Sequence, residues 1–207
     1  MKKNIVQRLV DRLAYELRRE NYGPKIFCIG YLKTGTTSVG LGLKELGFRH
    51  SSFDKKVWVQ LYQKDKIIDV IKYTSKFDSF DDLPWLKEDM IPVLDKVFPG
   101  SRFIYLEREE TPWVESFQRW RYLNFGAWPN VGEEMTKFRK HTELVREYFR
   151  GREGKDFMTL SVSAPDGFEK MAFFLGKEPL RKGFSIHVAT TGLNLSIPEE
   201  ELWTEND

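Results

Sequence analysis

Two glycines, Gly30 and Gly35, stand five positions apart in "CIGYLKTGTTSVG", which spans residues 28–40. That is the glycine spacing of the nucleotide-binding Walker A loop, G-x-x-x-x-G-K-[ST]. The slot for the lysine is filled by Thr36 and the hydroxyl slot by Thr37, while the lysine has moved forward to Lys33. The backbone logic of such a loop is retained. Amides from Gly35 through Ser38 open a helix, and a helix N-terminus cradles an anion. The lysine contact to the terminal phosphate of ATP or GTP is lost, so ordinary nucleoside triphosphate hydrolysis ranks low. A second loop of interest follows the apolar run "RFIYLE" and carries Arg108. A guanidinium fork matches two phosphate oxygens. The competing reading pairs Arg108 with Glu107, Glu109 or Glu110, leaves Lys33 as a solvated loop lysine and makes the threonines simple helix caps.

These residues need a scaffold, and the elements around them alternate. "KIFCIG" (25–30) is a short apolar run between Gly23-Pro24 and Gly30 and reads as a buried strand. "TTSVGLGLKELG" follows as a helix stopped at Gly47. "LKEDMIPVLDKVFPG" reads as a helix, "RFIYLE" as a second buried strand, and "TPWVESFQRWRYL" as a helix with Thr111 as N-cap and Pro112 at its first position. A longer helix covers about 133–150, with His141 expected on an exposed face. "DFMTLSV" is a further strand, and "APDGFEKMAFFLG" a helix stopped at Gly176. Alternating strands and helices predict an α/β fold, a three-layer sandwich with a parallel sheet. In such sheets ligands lie at the carboxyl ends of strands, where both loops of interest fall.

The chain of 207 residues suits a single domain over 1–207, with an amphipathic helix in 1–22 and an irregular tail over 177–207. In the helix, Ile5, Leu9, Leu13 and Leu17 recur at helical spacing. That face suits packing on the body, with a membrane surface or a homodimer as the alternatives. Lys+Arg 33 against Asp+Glu 31 argues against gripping long nucleic acid by bulk charge. The one cysteine, Cys28, excludes an internal disulfide. With no secretory signal and no run of membrane-spanning length, the expectation is a soluble cytoplasmic protein.

"KTGTTS" (33–38) resembles the 5′-phosphosulfate loop of sulfotransferases, which use 3′-phosphoadenosine 5′-phosphosulfate (PAPS). The strand-end Arg108 with Ser116 eight positions later resembles the 3′-phosphate motif of the same family. "FDDLPW", "FPGSRFIYLERE" and "HTELVREYFRGREGKDFMTLSVSAPDGFEKMAFFLG" resemble its bacterial-type branch. The resemblance implies a P-loop NTPase-like sulfotransferase fold and a reaction that moves SO₃ from PAPS to a hydroxyl or amine of a small molecule or glycan. Adenosine 3′,5′-bisphosphate is left behind, and no metal is required. It assigns Lys33 to the leaving oxygen, the segment Lys33, Thr34, Gly35, Thr36, Thr37 and Ser38 to the 5′-phosphosulfate, and Arg108 with Ser116 to the 3′-phosphate.

The general base is the open position. A related branch has a histidine in an H-L-P context; here the stretch is "DDLP", which puts Asp82 in that slot. An ordinary aspartate is a weak base near neutrality, although burial would strengthen it. His50 is the alternative, and His187 lies in the tail. Ser38 stands where that branch has an adenine-stacking tryptophan, so the adenine contact must come from elsewhere. "RKG" at 181–183 is a weak further candidate for the 3′-phosphate. The aromatic stretch 120–132 reads equally as a lid over the acceptor or as core. Two rival functions remain at this stage: a non-catalytic nucleotide-binding relative and an ATP-dependent small-molecule kinase.

Overall fold

The computed structural model describes residues 22–126 and 128–185. The helix expected in 1–22, apart from Tyr22, and His187 lie outside these residues. Five strands, β1 (Ile26–Cys28), β2 (His50–Ser51), β3 (Ser79–Asp81), β4 (Arg102–Leu106) and β5 (Phe157–Leu160), form one sheet in the order β2-β3-β1-β4-β5. Every pairing is parallel. The helices are α1 (Thr36–Glu45), α2 (Ile67–Thr74), α3 (Met90–Val97), α4 (Glu110–Phe125), α5 (Val131–Tyr148) and α6 (Gly167–Phe174), with π and 3₁₀ turns over Val57–Leu61 and Tyr62–Lys64.

Strand pleating explains the layers. Side chains alternate across a sheet, and both faces here are apolar. Phe27, Ile29, Phe103 and Tyr105 join a core with residues of α2, α3 and α5. Ile26, Cys28, Ile104 and Leu106 join a second core with Val39 and Leu43 of α1 and Phe168 and Met171 of α6. Burial on both faces is why these strands read as continuous apolar runs. A third cluster, Tyr31, Trp113, Phe117, Met135 and Phe138 among others, fastens α4 and the start of α5 to the loop after β1. From β1 the chain passes over to β2 on one side, and from β3 it crosses to β4 on the other. The resulting switch point lies at the carboxyl ends of β1 and β4.

Three local expectations shift. The fourth helix begins at Glu110, with Glu109 as the extended cap residue and no side-chain cap, so Thr111 and Pro112 lie inside its first turn. Proline is tolerated there because first-turn N–H groups have no helical partner. The third helix starts at Met90 rather than near Leu86. Pro92 confines the upstream helix, because its ring would clash with the carbonyl four residues earlier. His141 is fully buried, not exposed. Its Nε2 lies 2.8 Å from the Ile29 carbonyl and its Nδ1 3.2 Å from Glu88 Oε1. That contact holds the Glu88 carboxyl down at about 2.

Candidate active site

The phosphate-type loop is built by side chains that pin its carbonyls. His141 meets the carbonyl of Ile29, and the Thr34 hydroxyl donates to Tyr31 O at 2.7 Å. Trp113 Nε1 donates to Leu32 O at 2.7 Å, and Arg108 Nη1 to Lys33 O at 2.6 Å. Gly30 allows the close approach of the strand-end loop to β4: a Cβ there would lie 2.6 Å from Leu106 Cβ. Gly35 turns the chain into α1 with φ 108, and a Cβ there would lie 2.5 Å from Val162 Cγ2. Helix α1 then presents its first-turn amides. Ser38 N–H is used within the turn, donating to Gly35 O at 3.0 Å, so Thr36 and Thr37 offer the outward donors.

A cleft of about 640 Å³ opens above this loop, within the range for small-molecule sites. Its walls include every residue from Lys33 to Ser38, together with Asp82, Arg108 and Ser116. Adjacent strands supply them: Asp82 follows β3, the loop follows β1, and Arg108 follows β4. Thr34 contributes through its backbone, its hydroxyl being turned inward and buried.

The competing ion pairs for Arg108 do not form. Glu107 pairs with Arg146, and Glu110 takes a two-pronged contact from Arg139 at 2.6 and 2.7 Å. Burial lowers the pKa of Arg108, while Glu115 works in the opposite sense. Lys33 is also pulled down, first by burial and then by the nearby Arg108 charge, with Asp82 opposing. Its Nζ lies 5.8 Å from the centroid of the Trp120 ring, within cation–π range. Asp82 is pushed up to about 6, chiefly by burial and further by Asp81; a bond from Leu83 N–H at 2.7 Å and the Lys33 charge work against this. Lys33 and Asp82 both adopt φ 65, a conformation uncommon for residues with a side chain and concentrated at functional sites.

Residues 25–131 match the family model described as "Sulfotransferase domain". The chain belongs to the sulfotransferase family. No curated protein matches it. The matched segment of this sulfotransferase runs from β1 to the first residue of α5, so it contains the loop, Asp82, Arg108 and Ser116. Its α/β architecture is that expected of the family.

His50 is not brought to the cleft. Its side chain is 1% exposed, with Nδ1 2.9 Å from Ser79 Oγ and Nε2 3.5 Å from Asp81 Oδ1. It lies behind α1, where a Cβ on Gly40 would come within 2.6 Å of the ring. Arg181 is held elsewhere too: it pairs with Glu45 at the far end of α1 and lies over the Phe168 ring. Sequence reasoning missed Ser161, Val162 and Ser163 on the cleft wall. They follow β5, so the rule that selected the other loops, position at a strand's carboxyl end, would have found them. Within 120–132, Trp120 lines the cleft, and α4 continues to Phe125 before Gly126 ends it with φ 71. Asn130 then caps α5 by accepting from Gly132 N–H.

Among the described residues, no group of His, Cys, Asp and Glu has the arrangement to hold a metal ion, and no helix is long and apolar enough to cross a membrane.

Proposed function

We propose that this sulfotransferase takes PAPS as its donor and transfers the sulfuryl group to a hydroxyl or amine of a small molecule or glycan. The observation that carries the reading is the convergence of Lys33, Asp82, Arg108 and Ser116 on one cleft above a helix N-terminus. The donor set suits a nucleotide with anionic groups at both ends. Amides and hydroxyls of Thr36 and Thr37 serve one end, and the Arg108 fork with Ser116 serves the other. When bound, PAPS supplies an activated sulfuryl group. Lys33 brings a half-buried ammonium to offset charge on the leaving oxygen, the kind of preorganised electrostatics that lowers a transfer barrier. Asp82 accepts the acceptor's proton at its carboxylate, and its raised pKa makes it a better base than a surface aspartate.

Calorimetric titration with adenosine 3′,5′-bisphosphate, without added metal, tests the donor site with no acceptor in hand. Saturable one-site binding is expected. Binding of magnesium–ATP instead would overturn the reading in favour of a kinase. Nucleotide binding without sulfate transfer to any of a broad acceptor set would leave a non-catalytic relative.

A further inference from the structure

We infer that Trp113 is a positioning residue of the sulfuryl-transfer site, holding Lys33 in its strained conformation through the carbonyl of Leu32. The inference rests on the PAPS reading above. Lys33 has φ 65 and a full side chain. Such a conformation persists only where the surroundings over-determine it. The peptide plane before a residue and the plane after it are each rigid, so fixing both fixes φ and ψ. Both planes around Lys33 are fixed. Trp113 Nε1–H donates to Leu32 O at 2.7 Å, on the plane before; Arg108 Nη1 donates to Lys33 O at 2.6 Å, on the plane after.

The Trp113 ring is itself immobilised. It is fully buried, stacked on Phe138 at 4.6 Å and on Phe117 at 5.2 Å, with Tyr31 at 6.2 Å. Its N–H is the one polar group on an otherwise apolar ring, and it is spent on this loop carbonyl. A buried indole N–H needs a partner, and the one it finds lies 81 positions away in sequence, on the residue before Lys33. The segment 108–116 therefore does two things. It offers Arg108 and Ser116 to the cleft, and from below it sets the loop that faces them.

The test separates this role from packing. Replacing Trp113 with benzothienylalanine exchanges the N–H for sulfur and keeps the ring shape; Trp113→Phe is the simpler companion. Transfer from labelled PAPS and affinity for adenosine 3′,5′-bisphosphate would be measured beside the melting temperature. In the benzothienyl variant, transfer per folded molecule should fall by roughly three- to tenfold, the range one neutral hydrogen bond commands, while product affinity changes much less. The melting temperature should fall, because the Leu32 carbonyl loses its partner. Unchanged transfer per folded molecule overturns the inference and leaves the donor assignment standing. A loss of product affinity equal to the loss of transfer also overturns it, because the effect would then be general to the site. Wild-type protein that does not bind adenosine 3′,5′-bisphosphate removes the donor reading itself, and this inference with it.

Discussion

Arg108 donates to the backbone carbonyl of Lys33 at 2.6 Å, so the guanidinium that faces the cleft also touches the residue proposed to act on the leaving oxygen. The two ends of the proposed donor site are thus joined by a single hydrogen bond. The arrangement leaves Arg108 one nitrogen engaged with protein and the rest of its fork for a ligand, because Glu107 and Glu110 are paired with other arginines.

The first prediction concerns selectivity for the 3′-phosphate. Hydrogen bonds to charged groups contribute about 1.5–3 kcal/mol each. Adenosine 3′,5′-bisphosphate should therefore bind at least about tenfold more tightly than 5′-AMP. Arg108→Ala should close most of that gap by calorimetry. Equal affinity of the wild-type protein for the two nucleotides would remove Arg108 and Ser116 from the site.

Lys33 should separate chemistry from binding. Removing a preorganised donor from a developing charge typically costs about 10²–10³ in rate. Lys33→Ala should depress transfer from labelled PAPS by that order, while affinity for the sulfate-free product falls much less. The strain at φ 65 supplies a second readout. Lys33→Gly should unfold at a higher temperature than Lys33→Ala, since glycine alone adopts this conformation without penalty. A collapse of product affinity in Lys33→Ala with transfer nearly intact would reverse the assignment.

Gly35 offers a test of the loop's shape. Its φ of 108 and the 2.5 Å approach of Val162 to an added Cβ both exclude a side chain. Left-handed backbone costs a residue with a Cβ about 1–2 kcal/mol. Gly35→Ala should weaken adenosine 3′,5′-bisphosphate binding by about tenfold or more. Adding Val162→Ala should restore only the part due to the contact. Full restoration by the second change would mean the loop conformation itself tolerates alanine.

Much of this site is legible in the sequence, for definite reasons. β1 and β4 are buried on both faces and so appear as apolar runs, and the loop and Arg108 follow directly from their ends. β2 and β3 were not legible. They are two and three residues long, and every side chain but Phe80 is polar: His50, Ser51, Ser79 and Asp81. Their burial comes from neighbours distant in sequence, above all α1 through Gly40. Helix α2 was missed as well. The same blindness explains His141: one polar residue on a mostly polar helix carries no sign that it will cap a carbonyl 112 positions away. Spacing reads local geometry well, whereas it cannot report which partner a buried polar side chain finds.

Asp82 carries the last prediction, in two measurements with different signs. Its carboxyl has a pKa raised to about 6 from an ordinary 3.8, chiefly by burial. As a base it must be ionised, so transfer should rise with pH and reach half its plateau near pH 6. Asp82→Asn should lose about 10²–10⁴ in rate and flatten that profile, with nucleotide binding kept. Stability should move the other way. Because the folded-state value is raised, the folded protein holds the proton more tightly than the unfolded chain. The carboxyl costs nothing below about pH 4, where both states are protonated. The cost grows as pH rises from about 4 to about 6 and is fully present above that. At about 1.4 kcal/mol per tenfold change in proton affinity it reaches at most about 3 kcal/mol, less what solvent screening removes. Asp82→Asn should therefore melt above the wild type at pH 7 and alongside it at pH 4. His50→Gln should show the converse pattern, disturbing a buried contact to Ser79 and lowering stability while turnover per folded molecule stays near normal. A pH-dependent rate that survives Asp82→Asn but disappears in His50→Gln would transfer the proton-accepting role to the histidine.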